Sequence, residues 1–199
     1  MARTQGSHSQ TTGPRIRTAA ETLFARHGYA AVSMRQIAGA VGLQAGALYN
    51  YTPDKQSLLV DLMQRHMEAL MTAWAQEGRG ETAMSALEAF ARFHIRFNLA
   101  RRDAVFIAYN ELRSLEPEGF ARIESLRNAY EGELAGVLTA GRAAGLFQLD
   151  DPRVTTRAVI ALLNGVLTWY RDDGQLSLVD VEDLHWQMVR RLVGAEGER

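Results

Sequence analysis

The stretch Ser33-Met34-Arg35-Gln36-Ile37-Ala38-Gly39-Ala40-Val41-Gly42-Leu43-Gln44-Ala45-Gly46-Ala47-Leu48-Tyr49-Asn50-Tyr51 decides how this chain is read. Ser33 is a good N-cap for a short helix carrying Ile37, Ala38 and Val41. Gly42 ends that helix, and it suits a turn in which the backbone takes positive φ. Gln44 to Tyr51 then has room for two more helical turns. Helix, tight turn and helix is the helix-turn-helix pattern. The residues that open the second helix, Gln44, Ala45, Gly46 and Ala47, are small or polar. A recognition helix must approach base edges in a major groove about 12 Å wide, so bulky apolar residues there would be wasted on solvent. Gln can offer adenine two hydrogen bonds, and a small side chain can face a thymine methyl. Leu48, one turn on, is expected to point back against Leu23, Phe24, Ile37 and Val41.

Working outward, Ile16, Ala19, Ala20, Leu23 and Phe24 recur at helical spacing behind Gly13-Pro14, and Gly28 stops that helix. Residues 1–12 are rich in Ser, Thr, Gln and Gly without periodicity and read as a flexible arm. After Pro53-Asp54 a long amphipathic helix runs from Gln56 to about Gln76. Further helices are predicted near 82–100, 103–115, 118–144, 153–171 and 179–194, and no stretch alternates as a strand would. The fold class is all-α, with about nine helices. An N-terminal three-helix DNA-binding domain occupies 13–55. A larger helical domain for ligand binding and dimerisation occupies 56–199.

Charge supports the division. Residues 1–55 carry six bases against two acids, a net +4, and the remaining sixteen bases and twenty-one acids give −5. A basic end on an acidic body suits a polyanionic partner. The chain of 199 residues has no Cys, which excludes disulfides, thiol nucleophiles and Cys-ligated metal clusters. Its five His, at 8, 27, 66, 94 and 185, form no H-E-x-x-H pattern, and no phosphate-binding glycine loop occurs. Met63, Met67 and Met71 repeat at helical spacing as a packing stripe. An enzyme, a metal centre and a bound cofactor are therefore not expected. The apolar runs are too short to cross a membrane, and no secretory leader is evident, so a cytoplasmic protein without membrane contact is expected.

Five clusters now fall at consistent spacing: Arg17-Thr18-Ala19-Ala20, Leu23 to Tyr29, Ser33 to Ala38, Val41-Gly42-Leu43, and Gly46 to Tyr51 followed by Lys55 to Leu59. Together they resemble the N-terminal domain of the tetracycline-repressor family of bacterial regulators. The resemblance implies a repressor that binds double-stranded DNA at a palindromic operator. It places Arg35, Gln44, Ala45, Gly46 and Ala47 nearest the base edges. Tyr49, Asn50, Tyr51 and Lys55 complete the DNA-facing set, with Tyr49, Tyr51 and Lys55 on the sugar-phosphate backbone. Ser33 caps its helix and donates to a phosphate. Lys55 is the single Lys among 22 basic residues. Thr52 departs from the family pattern, where an aromatic residue is common.

Helix-turn-helix proteins bind as symmetric dimers on spaced half-sites, so a homodimer surface is expected. Ala158, Leu162, Gly165 and Trp169 form one apolar stripe, and Leu184, Met188 and Leu192 another. Ala161, Val166 and Val181 are read with them. The middle helices mix aromatic and polar groups as a small-molecule site does. Phe93, Phe97, Phe106, Tyr109, Asn110, Arg113 and Tyr130 are the candidate effector contacts. Asn110 to Leu115, Asp151-Pro152-Arg153 and Leu163-Asn164-Gly165 through Trp169-Tyr170-Arg171 also resemble family members that govern lipid and acid catabolism. Several of those respond to acyl-coenzyme A, whose phosphates would need some of Arg92, Arg96, Arg101, Arg102, Arg113, Arg122 and Arg127. The implied function is a ligand-responsive regulator released from its operator by a small hydrophobic effector, with acyl-coenzyme A as the leading candidate. The alternatives are a drug-efflux regulator and a ligand-independent DNA-binding dimer.

Overall fold

The computed structural model describes residues 5–195, with side chains described from residue 11 onward. In order these form α1 (Gln5–His27), α2 (Met34–Ala40), α3 (Ala45–Leu48), α4 (Lys55–Gln76), α5 (Ala83–Leu99) and α6 (Arg102–Asn110). A 3-10 turn (Leu112–Ser114) leads to α7 (Pro117–Ala143), α8 (Pro152–Asn164), α9 (Val166–Trp169) and α10 (Leu178–Leu192). The described residues contain no strand.

Local chemistry explains most boundaries. Thr82 and Ser177 cap α5 and α10 through reciprocal side-chain and backbone hydrogen bonds, and Asp151 accepts from two amides at the start of α8. Three expectations are corrected. The N-terminal arm differs from Gln5 onward, where α1 already begins, and Met1–Thr4 lie outside the described residues. Pro14 lies inside α1, and Thr12 in the preceding turn is buried. The helix expected over 153–171 is interrupted at Gly165, where α8 ends and the four-residue α9 begins. The one expected over 103–115 stops at Asn110 and gives way to the 3-10 turn.

The chain divides into two compact units. The first holds the chain up to Glu68 together with Asp103–Leu126, and the second holds Ala69–Arg102 together with the chain from Arg127. The first unit is thus larger than the 13–55 segment. Leu58, Leu59, Leu62 and Met63 of α4, Ile107 of α6 and Ile123 of α7 bury into one cluster with Ile16, Ala20, Phe24, Ile37 and Leu48. A module of one long and two short helices has too little apolar surface for a stable core, and these additions supply it. In the second unit α5 packs against α8, α9 and α10. Its core is aromatic, with Trp74, Phe90, Phe93, Phe97 and Tyr130 all buried.

Candidate functional site

The helix-turn-helix forms as its residues dictate. Ser33 accepts from the Gln36 amide, and Gln36 reaches back to the Ser33 amide at 2.8 Å. Gly42 takes φ +73°, a value an L side chain adopts only with strain. The Leu43 amide donates to Ala38 O at 2.9 Å and closes the turn. Leu48 is fully buried with Phe24, Ile37 and Val41 as neighbours in the same cluster, so α3 is pinned by one residue. Pinning Leu48 turns Gln44, Gly46, Tyr49, Asn50 and Tyr51 outward, all exposed, with Tyr49 at 54%. Ala45 and Ala47 are half-buried beside them, and Arg35 is exposed on α2. The Gln44 side chain makes no capping hydrogen bond, so its amide is available for a base edge.

Two expected backbone contacts are already engaged. The Ser33 hydroxyl donates its one hydrogen to Gln36 Oε1 at 2.7 Å, which removes the donor a phosphate contact would use. The Lys55 ammonium donates to Tyr29 O at 3.0 Å and Val32 O at 2.9 Å and sits 4.2 Å from the Tyr29 ring centre. Lys55 therefore ties the α1–α2 turn, and one of its three donors remains. Thr52 is buried and donates to Asp54 O at 3.1 Å, so the position that departs from the family pattern still points inward.

Sequence reasoning missed other supports of this unit. Arg15 donates to Val41 O at 3.1 Å and satisfies the end of α2. Glu111 accepts from the Tyr29 amide at 2.9 Å and from the Ser114 hydroxyl at 2.7 Å. Gln56 donates to Ser114 O at 2.6 Å and accepts from the Glu116 amide at 3.3 Å. The turn preceding the helix-turn-helix is thus held by residues from two distant stretches of chain. Nothing in local sequence signals such pairings.

The candidate effector contacts are not gathered in one unit. Phe93, Phe97 and Tyr130 are buried in the second unit, whereas Phe106, Tyr109, Asn110 and Arg113 are exposed in the first. Asn110 donates to Phe106 O within its own helix. The arginines also separate. Arg92 pairs with Glu88 and Asp183 at 2.8 and 2.7 Å, and Arg96 with Glu77 and Glu182 at 2.9 and 3.0 Å. Arg101 lies 3.9 Å from the Phe97 ring centre, and Arg102 lies 5.7 Å from that of Tyr170. Arg113 and Arg122 belong to the first unit and Arg127 to the second. A cleft of about 450 Å³ between α7 and α8 is lined by Asn128, Glu131, Gly132, Ala135, Arg153, Thr156 and Arg157.

The middle of the second unit holds a polar cluster. His94, wholly buried, stands 3.0 Å from the Tyr130 hydroxyl through Nδ1 and 3.0 Å from Asn164 Oδ1 through Nε2. Asn98 Nδ2 donates to the same Asn164 oxygen at 3.1 Å and lies 2.9 Å from His94 Nε2. Burial, only partly offset by the Asn164 hydrogen bond, pushes the His94 pKa down to about 4, so the ring is neutral. With Nε2–H donated to Asn164, Nδ1 accepts from Tyr130 O–H. Asn98 Oδ1 is buried with no hydrogen-bond partner among the described residues. A lone buried acceptor costs about 1–3 kcal/mol.

The expected dimer stripes split by exposure. Ala158, Trp169, Leu184, Met188 and Leu192 are exposed, and Leu162 and Gly165 are half-buried. Ala161 is exposed as well, whereas Val166 and Val181 turn inward and belong to the core. Trp169 stacks on His185 with ring centres 6.0 Å apart.

An exposed polar recognition face on a pinned second helix defines a helix-turn-helix protein of the DNA-binding class. The particular family follows from comparison. Residues 16–62 match the model of bacterial regulatory proteins of the tetR family, and residues 80–193 match the tetracyclin repressor-like C-terminal domain. The chain belongs to this family, whose members are transcriptional regulators and not enzymes. It is 27% identical over 173 residues to the HTH-type transcriptional repressor KstR2 of Rhodococcus jostii strain RHA1, covering 85% of each chain. A tetR-family regulatory protein from Rhodococcus RHA1 superposes with TM-score 0.87 at 26% identity, over 94% of this chain and 99% of that one. The regulator AibR, solved with isovaleryl coenzyme A and operator DNA, shares the fold, with TM-score 0.80 at 23% identity over 91% and 97% of the chains. No helix among the described residues is long and apolar enough to cross a membrane.

Proposed function

We propose that this chain is a homodimeric repressor that binds a palindromic operator through Arg35, Gln44, Ala45, Gly46 and Ala47, with Tyr49, Tyr51 and Lys55 on the backbone and Asn50 on the same DNA-facing surface. The observation that carries the reading is the outward set Gln44, Gly46, Tyr49, Asn50 and Tyr51 around buried Leu48. The exposed apolar residues Leu184, Met188 and Leu192 on one face of α10, with Ala158 and Trp169, support dimerisation. A small apolar effector binds the second unit and favours the state with low operator affinity. Such coupling requires differential affinity for two states and is reciprocal.

An acyl-coenzyme A is the favoured effector. AibR, a fold relative, is bound to one. The aromatic core supplies an apolar environment for the acyl chain. For the phosphates, Arg92 and Arg96 are neutralised by carboxylates, whereas Arg153 and Arg157 line the α7–α8 cleft without a carboxylate partner among the described residues. The test is fluorescence anisotropy on DNA flanking the chain's own gene, followed by calorimetric titration with acyl-coenzyme A of several chain lengths. Saturable micromolar binding that releases the DNA is the expected result. DNA release by an uncharged apolar compound alone would move the reading to a sensor of hydrophobic xenobiotics. Failure to retain any DNA would overturn it.

A further inference from the structure

We propose that the cluster of His94, Asn98, Tyr130 and Asn164 anchors the uncharged hydrogen-bond donor, a hydroxyl or amide N–H, of an otherwise apolar effector. The inference rests on the effector-responsive reading above, taken with a small apolar effector rather than a coenzyme A thioester. Four polar side chains from α5, α7 and α8 converge inside a core that is otherwise aromatic. Phe90 stacks on both His94 and Tyr130, with ring centres 5.7 and 5.2 Å apart. Trp74 stands edge-on to Phe90 at 5.1 Å.

The hydrogen-bond inventory of the cluster is unbalanced. With the His94 hydrogen on Nε2, Asn164 Oδ1 receives both that hydrogen and one from Asn98 Nδ2. Two donors share one acceptor while the second acceptor, Asn98 Oδ1, has no donor among the described residues. A ligand that brings one donor corrects the imbalance. A carboxylate does not, because it is acceptor-only and His94 is held neutral. The dry aromatic surroundings also penalise a buried negative charge without a cation to pair it. The site therefore selects on two counts, for a donor and against a charge. His94, Asn98 and Tyr130 are buried and Asn164 is half-buried, so the surrounding rings must rotate to admit a ligand to Asn98.

Three probes of equal chain length separate these terms: decan-1-ol, decyl methyl ether and decanoate. Binding is read by quenching of tryptophan fluorescence, and operator retention is followed in the same samples. For the wild-type chain decan-1-ol is expected to bind at least about tenfold more tightly than the ether or the acid, the ratio set by one buried unpaired acceptor. Asn98→Leu is expected to keep its melting temperature, to bind the ether as well as the alcohol, and so to lose the preference. Equal affinity of the wild-type chain for alcohol and ether would overturn the proposal, assigning the cluster to core structure with a water on Asn98 Oδ1. So would a preference retained in Asn98→Leu. If no probe binds, the proposal fails, and the acyl-coenzyme A titration described above tests the effector reading separately. Operator retention then shows separately whether the DNA-binding reading stands.

Discussion

At the scale of single residues, what a side chain is free to do depends on what already holds it. Arg35 and Gln44 are exposed, and neither guanidinium nor amide is engaged in a described hydrogen bond. Ser33, in contrast, spends its hydroxyl hydrogen and Lys55 two of its three donors inside the protein. Arg35→Ala is therefore expected to weaken operator binding about tenfold and relax selectivity at one base position. Thermal unfolding should leave its melting temperature unchanged. Loss of stability together with affinity would mean that Arg35 supports the fold. His94 makes a different prediction. Its folded pKa of about 4 lies below the ordinary value of 6.5. Between those values the unfolded chain binds the extra proton, so folding stability is complete above about pH 6.5 and falls as pH drops toward 4. The loss amounts to roughly 3 kcal/mol. His94→Gln should flatten this part of the urea-unfolding stability profile. An unchanged slope would show that other groups carry the acid sensitivity.

At the scale of elements, two glycines of the helix-turn-helix separate folding from recognition. Gly42 ends α2 at positive φ with open space around it, so Gly42→Ala is opposed by backbone strain alone, about 1–2 kcal/mol. Gly46 lies inside α3, and the space that an alanine methyl would fill there is also open. Gly46→Ala should then stabilise the helix by up to about 1 kcal/mol while adding bulk on the recognition face. Denaturant melts and operator titrations on the two variants check this. Gly42→Ala lowers stability first, and Gly46→Ala lowers operator affinity without lowering stability. The caps, the turn and the inward Leu48 were legible because their causes lie within a few residues. Thr82, Asp151 and Ser177 cap α5, α8 and α10 by chemistry that is equally local. The interruption at Gly165 was not legible, since a glycine inside a helical pattern is tolerated as often as it ends one.

At the scale of the whole chain, the exposed apolar residues of α10 bear on assembly. Leu184, Met188 and Leu192 stand one turn apart and are each over two-fifths exposed. The pair Leu184→Glu and Leu192→Glu places two charges on that face. Sedimentation is expected to show a monomer at micromolar concentration, with operator affinity reduced at least about a hundredfold because each half-site is then bound alone. A dimer that survives the double substitution would place the interface elsewhere.

Sequence alone determined that this chain is all-helical, that residues 33–51 form a helix-turn-helix, and which side of α3 faces outward. Those properties follow from periodicity, capping chemistry and glycine, all of them local. Tertiary structure decided which arginines are neutralised, that Asp103–Leu126 joins the first unit, and that four of the expected effector contacts lie there rather than in the second unit. It also decided that His94 and Asn98 meet Asn164, some seventy residues away along the chain. Hydrogen bonds and ion pairs reach only about 3–4 Å. Whether two distant residues come within that reach depends on how whole helices pack, and a residue's own neighbours in sequence carry no record of it.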